Sequence, residues 1–154
     1  MDILKDFIIH FGSSFIAAFG FTILYNIPKK VVFPASLTGA IGWTTHFFLI
    51  NYFMTENFLA TIVASFFIAF VSQIFARKHK KPVILFTLPG IIPLVPGGMV
   101  YNMMRSFVEG QTNLGVQFAI NTFLTAGALA LGLLINSALF QILSSRDILN
   151  KGQK

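Results

Sequence analysis

The stretch KKPVILFTLPGIIPLVPGGMVYNMMRSF, from Lys80 to Phe107, is long and apolar enough to cross a bilayer, yet it is rich in residues that interrupt helices. These residues are Pro82, Pro89, Pro93, Pro96, Gly90, Gly97 and Gly98. A proline inside a helix removes a backbone donor and clashes with the preceding turn, at about 3 kcal/mol. The freed polar groups cannot face lipid. The stretch therefore predicts a broken helix whose unwound main chain, from Leu88 to Gly98, lines a protein-enclosed, wet chamber midway through the membrane.

The rest of the chain is equally suited to lipid. Of its 154 residues, 55% are hydrophobic and only 10% are charged, whereas soluble domains carry about 25% charged residues. Five segments reach the roughly 20 residues that a spanning helix needs, and none contains Asp, Glu, Lys or Arg. They are residues 7–26, 34–53, 57–76, 82–104 (the broken one) and 115–141. The sequence predicts an all-α, polytopic membrane helical bundle of about five spans, forming a single transmembrane domain over residues 1–154.

The positions of the charges predict an orientation. Nine of the eleven Lys and Arg residues follow the first, third and fifth segments, and only Lys5 and Arg105 lie at the opposite ends. The positive-inside rule assigns the nine to the cytoplasm. The N-terminus is then outside and the C-terminus inside. Because this rule accounts for the net charge of +6, the charge does not indicate a nucleic-acid partner.

The last segment carries small and polar residues on one face. They recur at intervals of three or four and occupy about 100° of the helix; they are Gln117, Asn121, Thr125, Ala128, Gly132 and Asn136. Two interpretations remain open. The stripe is a packing seam, since small and amide side chains let membrane helices approach and hydrogen-bond, or it is one wall of a hydrated substrate path. Both Asn121 and Thr125 belong to the path in the second interpretation.

Two histidines lie inside predicted spans, His10 in the first and His46 in the second. The unperturbed pKa of histidine lies near physiological pH, so a membrane histidine is a candidate for proton coupling. The alternative is structural, because His10 lies near the outer end of its helix and His46 has backbone carbonyls within reach. Trp43 falls in the middle of the second span and is expected to face other helices.

Enzymatic chemistry is not expected. The three histidines lie in different segments, no HExxH or GxSxG motif occurs, and all five acidic residues are outside the spans. With no cysteine, disulfides and thiolate metal sites are excluded. From the sequence we therefore expect that the protein is not an enzyme and that it binds no cofactor or metal.

Several stretches resemble a known family. LPGIIPLVPGGMVYNMM (88–104), the basic FARKHKKPVILFT (75–87) and LYNIPKK (24–30) are similar to the threonine/serine exporter (ThrE) family, in particular to its short, separately encoded YjjB-type subunit. The similarity covers nearly the whole chain. Matching the motif position by position implies a substrate path at Pro89, Gly90, Pro93, Pro96 and Gly97, with Tyr101 just beyond it.

The resemblance implies a membrane subunit of a two-component, proton-driven exporter in the bacterial cytoplasmic (plasma) membrane. A larger membrane partner would carry a hydrophilic cytoplasmic domain, and the number of copies, including a higher oligomer, stays open. The expected substrate is a small amino acid such as threonine or serine. The alternatives are a dicarboxylate (succinate) exporter subunit and a scaffold that only stabilises its partner. Because no Lys or Arg lies within a span, the residues favour amino acids over dicarboxylates.

Overall fold

The computed structural model describes the backbone of residues 3–151 and the side chains of residues 3–142. The regular structure in this range is helical and confirms the all-α bundle. The helices are α1 (Ile3–Leu24), α2 (Lys29–Asn51), α3 (Asn57–His79), α4 (Ile84–Ile91), α5 (Gly97–Val108) and α6 (Thr112–Lys151), with one 3-10 turn (Ile92–Leu94) between α4 and α5. The positive-inside rule predicts a cytoplasmic position for Arg146, Lys151 and Lys154; the side chains of the first two and all of Lys154 lie outside the described residues.

The central helix is α2. It packs against α1, α3 and α4, and nine of its 23 residues are buried. Most of the nine are small, which lets neighbouring backbones approach closely. On the far side of α3 lies α6, whose N-terminal part also packs against α5. The order across the bundle is therefore α1, α2, α3 and α6, with α4 seated on α2 and α3.

The basic loops meet at one end of the bundle. Val31, in the first turn of α2, packs in one apolar cluster with Ala76, near the end of α3, so the lysines and arginines beside them lie together. The guanidinium carbon of Arg77 lies 4.9 Å from the centre of the Phe140 ring, which brings the distal part of α6 to the same end. We call this the basic end; that it faces the cytoplasm remains a prediction.

Three described helices are long and apolar enough to cross a membrane, namely α1, α3 and α6 as far as Ile142. The pair Ile84–Leu94 and Gly97–Val108 passes the same test as one span bent by 48°. The second predicted span, residues 34–53, corresponds to α2, which is as long as α3 but does not pass this test of length and hydropathy. Since protein covers α2 on several sides, its polar residues need not meet lipid, and its crossing remains a prediction.

The interruption in the broken segment is shorter than the sequence predicts. The α4 helix continues through Pro89 to Ile91, and the chain then forms the 3-10 turn, so that only Val95 and Pro96 are outside a helix before α5 begins. The prediction of unwound chain from Leu88 is thus wrong for residues 88–91. A proline has a helical φ and removes only its own N–H, so α4 can stay helical through Pro89.

Candidate functional site

Two adjoining cavities lie where α4 gives way to α5. One, of about 290 Å³, lies between α2, α3 and the break, and the other, of about 320 Å³, lies between α3, α5 and α6. Both are lined by Asn57, Met99 and Thr125, so they form one continuous depression. Their sizes are at the lower end of the range for small-molecule sites, roughly 300–1,000 Å³. We call the pair the break cavity.

A hydrogen-bond chain crosses the break cavity from α2 to α6. His46 Nε2 lies 3.1 Å from Asn57 Oδ1 and 3.2 Å from Thr61 Oγ1. The other amide atom, Asn57 Nδ2, lies 3.4 Å from Thr125 Oγ1, and the Thr125 hydroxyl donates to the Asn121 carbonyl at 2.8 Å. With a proton on His46 Nε2, each of these hydrogen bonds joins a donor to an acceptor. The chain therefore connects His46, Asn121 and Thr125, which the sequence singled out separately.

A second shallow groove adjoins the break cavity on the side of α1. It has a volume of about 290 Å³, is lined by His10, Ser13, Ser14 and Pro93, and shares Trp43 and Pro93 with the break cavity. The Trp43 indole N–H donates to His10 Nδ1 at 3.4 Å, and its ring stacks on the His46 imidazole with the centroids 5.8 Å apart. Trp43 thus lies between the two histidines.

The Pro89–Gly90 step lies outside these cavities, in tight contact with α2. A methyl group added to Gly39 of α2 would lie 3.3 Å from the Pro89 carbonyl oxygen, and one added to Gly90 would lie 2.9 Å from Thr38 Cγ2. The glycines therefore permit close helix packing, and α2 covers the carbonyl that Pro93 leaves without its usual helical partner. The contact is a close packing of two helices of the kind that small residues allow.

The other residues that the resemblance assigns to a substrate path differ in how close they lie to the break cavity. Pro93 and Pro96 line the break cavity. Gly97 begins α5 next to it, and its N–H bonds to the Val95 carbonyl at 2.7 Å. Tyr101 is 66% exposed on the outside of α5, away from the hydrogen-bond chain. Their assignment to a substrate path remains a prediction.

Sequence reasoning missed two residues of the cavity, Glu56 and Asn57, because both fall at the boundary of a predicted span. Glu56 is the only charged residue among those lining the break cavity in the described part of the chain. A signal for Asn57 was present, since Asn57, Thr61, Ser65 and Ser72 recur along α3 at intervals of four, four and seven. That spacing places a second polar stripe on the surface of α3, and Asn57 and Ser65 of this stripe face the stripe of α6.

The break cavity lies at the end of the bundle opposite the basic end. Asn57 is the first residue of α3 and Arg77 is in its last turn, so about 30 Å of helix separates them at 1.5 Å per residue. That distance equals the thickness of the hydrocarbon core. Where the cavity lies across the membrane remains a prediction, since α5 and the first 13 residues of α6 continue beyond it.

Comparison with known proteins gives a match over most of the chain. The family model described as "Threonine/Serine exporter, ThrE" matches residues 10–139. A protein of Haemophilus influenzae, described as uncharacterized, is 30% identical over 134 residues, which covers 81% of this chain and 44% of that protein. The chain thus spans less than half the length of this relative. No solved structure matches.

Proposed function

The chain belongs to the threonine/serine exporter family, and from this membership we propose that it is the membrane subunit of a two-component, proton-driven exporter of small amino acids, with the break cavity as its substrate site. The observation that carries the proposal is the lining of this cavity. It combines residues of the first turn of α5, amide and hydroxyl side chains and one carboxylate, with no Lys or Arg among its described residues.

This lining suits a zwitterion. Gly98 and Met99 lie in the first turn of α5 and line the cavity, and first-turn amides have no partner within their own helix and favour anions. They could bind a substrate carboxylate, assisted by the Asn57 amide. Glu56 and the oxygens of Asn121 are suited to the ammonium group on the opposite side. A dicarboxylate would meet the Glu56 charge without a compensating cation, so the cavity favours amino acids over succinate.

Proton coupling is proposed for the two histidines, which respond differently to protonation. His10 Nδ1 accepts the Trp43 indole proton, so a proton on Nδ1 abolishes this link between α1 and α2. His46 can keep its Nε2–H donor to Asn57 in the neutral and in the charged form. Protonation of His10 therefore changes the groove beside Pro93, whereas protonation of His46 adds positive charge beside the substrate site.

A larger partner with a hydrophilic cytoplasmic domain completes the proposed exporter. The Haemophilus influenzae relative supports a two-part assembly, because the matched region accounts for only 44% of it. A scaffold role without transport is the second candidate, and the tight packing of Pro89 and Gly90 on α2 favours it. In that case the break cavity would have no substrate to bind.

Efflux from sealed vesicles tests the proposal. Vesicles containing this chain and its partner are loaded with radiolabelled threonine or succinate, and efflux is compared with that from vesicles lacking either chain. We expect threonine efflux to require both chains and to fall at least tenfold in Asn57→Leu and Thr125→Val. Asn102→Leu is the matched control, since Asn102 is an exposed α5 residue that does not line the break cavity. Full efflux from correctly assembled Asn57→Leu and Thr125→Val proteins would favour the scaffold.

A further inference from the structure

The side-chain amide of Asn57 has two possible orientations, and the hydrogen bonds around it decide between them. An asparagine presents a carbonyl oxygen at one end of its amide and an NH₂ group at the other, and the two ends have nearly the same shape. One end of the Asn57 amide lies 3.1 Å from His46 Nε2, and the other lies 3.4 Å from Thr125 Oγ1. Which end meets which neighbour therefore depends on where these neighbours hold their protons.

The two threonine hydroxyls beside this amide use their protons within their own helices. Thr61 donates to the main-chain carbonyl of Asn57 at 2.7 Å, and Thr125 donates to the Asn121 carbonyl at 2.8 Å. A hydroxyl has a single proton and two lone pairs, so each of these oxygens can only accept from a further neighbour. Since Thr61 Oγ1 lies 3.2 Å from His46 Nε2, the proton between them comes from the imidazole.

The same protons determine the orientation of Asn57. A proton on His46 Nε2 is donated to Asn57 Oδ1, and Thr125 Oγ1 accepts from Asn57 Nδ2. The reverse orientation would bring two donors together at His46 and two acceptors together at Thr125. To avoid this, the imidazole proton would have to move to Nδ1, and both threonine hydroxyls would have to give up their bonds of 2.7 and 2.8 Å. The hydrogen bonds therefore favour one orientation, with the NH₂ group away from His46.

The imidazole that donates to Asn57 is itself held by its neighbours. Its ring stacks on the indole of Trp43, with the centroids 5.8 Å apart and the planes 27° apart. Trp43 in turn donates to His10 Nδ1 at 3.4 Å, which links this part of α2 to α1. The position of His46 therefore does not depend on Asn57 alone, and the imidazole can act as a fixed donor against which the amide is oriented.

Asn57 Nδ2 has a second proton for the break cavity. An NH₂ group can donate two hydrogen bonds, and one of them is directed to Thr125. Asn57 is exposed and lines both parts of the cavity together with Met99, which lies in the first turn of α5. First-turn amides favour anions, so donors from α3 and α5 meet at one cavity and suit a carboxylate. The reverse orientation of Asn57 would present an oxygen there and would suit an ammonium group.

We propose that His46 is a positioning residue that determines the specificity of the break cavity. By donating from Nε2 it holds the Asn57 amide with its NH₂ group toward the cavity, and so assigns the carboxylate of a small zwitterionic solute to the side of α3 and α5. The identity of the solute rests on the proposed function, whereas the orientation of the amide follows from the hydrogen bonds of this chain. This role is separate from proton coupling, because the neutral imidazole can fulfil it as well as the charged one.

Two solutes that differ only at the carboxylate test the specificity. Threonine is compared with threoninol, in which a CH₂OH group replaces the carboxylate, by equilibrium binding to the full chain with its partner. Asn57→Asp has acceptors at both ends of the side chain, so we expect the preference for threonine to fall about tenfold, the ratio that corresponds to the lower value of about 1.5 kcal/mol for a hydrogen bond to a charged group. Asn51→Asp is the matched control, because Asn51 is exposed at the end of α2 and lines neither part of the cavity. An unchanged preference in Asn57→Asp, or an equal loss in Asn51→Asp, would overturn the proposal.

Two substitutions of His46 separate positioning from packing. His46→Leu removes the donor, and we expect the preference for threonine over threoninol to fall about threefold, which corresponds to roughly 0.65 kcal/mol and lies within the range for one net hydrogen bond. His46→Gln carries a side-chain NH₂ group that can replace Nε2, so it should restore most of the preference. If His46→Leu kept the wild-type preference, or if His46→Gln lost as much as His46→Leu, the positioning role would be refuted.

The proton on the imidazole can be measured without any solute. The wild-type chain is labelled with ¹⁵N-histidine and studied by NMR in lipid with its partner, and His46→Gln identifies the His46 signals among those of the three histidines. We expect Nε2 to carry a proton, and a bare Nε2 would overturn the proposal. Wild-type protein that binds neither threonine nor threoninol would refute the proposed function, and the imidazole spectrum would still decide whether His46 holds the Asn57 amide.

Discussion

The packing of α3 against α6 can be tested by substituting alanine for glycine at two positions of α6, Gly132 and Gly127, and comparing the stability of the two variants. Both glycines lie in α6, five residues apart. A methyl group added at Gly132 would overlap the Ile62 carbonyl oxygen and come within 3.0 Å of the Phe66 amide nitrogen, whereas one added at Gly127 would meet nothing within 4 Å. Because the obstacle at Gly132 includes main-chain atoms of α3, it cannot be relieved by a side-chain rotation.

Two effects of opposite sign on the free energy of unfolding are expected. Alanine stabilises a helix interior by about 0.5–1 kcal/mol relative to glycine, and this gain applies at both positions. Overpacking a close contact costs about 1–3 kcal/mol, and this penalty applies only to Gly132→Ala. Gly127→Ala should therefore be stabilised by about 0.5–1 kcal/mol, and the two variants should differ by the overpacking term, about 1–3 kcal/mol.

The measurement is the unfolding of the purified full chain in one detergent, by thermal denaturation monitored by circular dichroism and by gel filtration after heating. Using the same detergent and the same helix cancels most effects of the micelle. Equal stability of Gly132→Ala and Gly127→Ala would refute the reasoning, because α3 and α6 would then not touch at Gly132. A lower stability for Gly127→Ala would instead place a neighbour beside that face of α6.

Three further predictions concern the end of the bundle that holds the break cavity. Glu56→Gln should weaken threonine binding up to about fivefold, the ratio that corresponds to the roughly 1 kcal/mol upper value for an exposed charge pair, and the loss should shrink at high salt; equilibrium binding of labelled threonine measures both. Asn57→Gln should retain more threonine efflux than Asn57→Leu, because it keeps an amide for His46; equal efflux in a vesicle assay would argue against the hydrogen-bond chain. Tyr52→Phe should lower the thermal stability, because the Tyr52 hydroxyl donates to Asp6 Oδ2 at 2.8 Å and joins the ends of α2 and α1. Tyr25→Phe is its control, since the Tyr25 hydroxyl bonds to no residue that the structure describes, and an equal effect would contradict the role of the Asp6 contact.

Hydropathy was sufficient to predict the helical class, because the exclusion of charge from long segments is a direct energetic requirement of lipid. It was less informative about α2. That helix is flanked by protein, so its hydropathy does not report its place at the centre of the bundle. The boundaries of the broken segment were also beyond sequence reasoning. Whether a proline breaks a helix depends also on the packing around it, and the backbone of Pro89 lies beside Gly39 of α2, 50 residues away in sequence.

The sequence was sufficient to predict several residues of the candidate site, but it did not show how they are connected by hydrogen bonds. Periodicity singled out Asn121 and Thr125, and residue chemistry singled out the histidines. Their connection runs through Asn57, which lies outside the pattern of any single span and becomes visible only when α3 is placed between α2 and α6. A search for polar residues at intervals of four along α3 would have found Asn57 itself, although not its partners.

The place of the break cavity has an electrical consequence. About 30 Å of packed helix lies between Asn57 and the basic end, so a proton that passes between them is expected to cross part of the membrane voltage. Moving one elementary charge through the whole voltage corresponds to about 2.3 kcal/mol per 100 mV. A step that carries a proton from the cavity to the basic end is therefore expected to appear in electrical recordings as a movement of charge, whereas the binding of a zwitterion without net charge in the cavity is not.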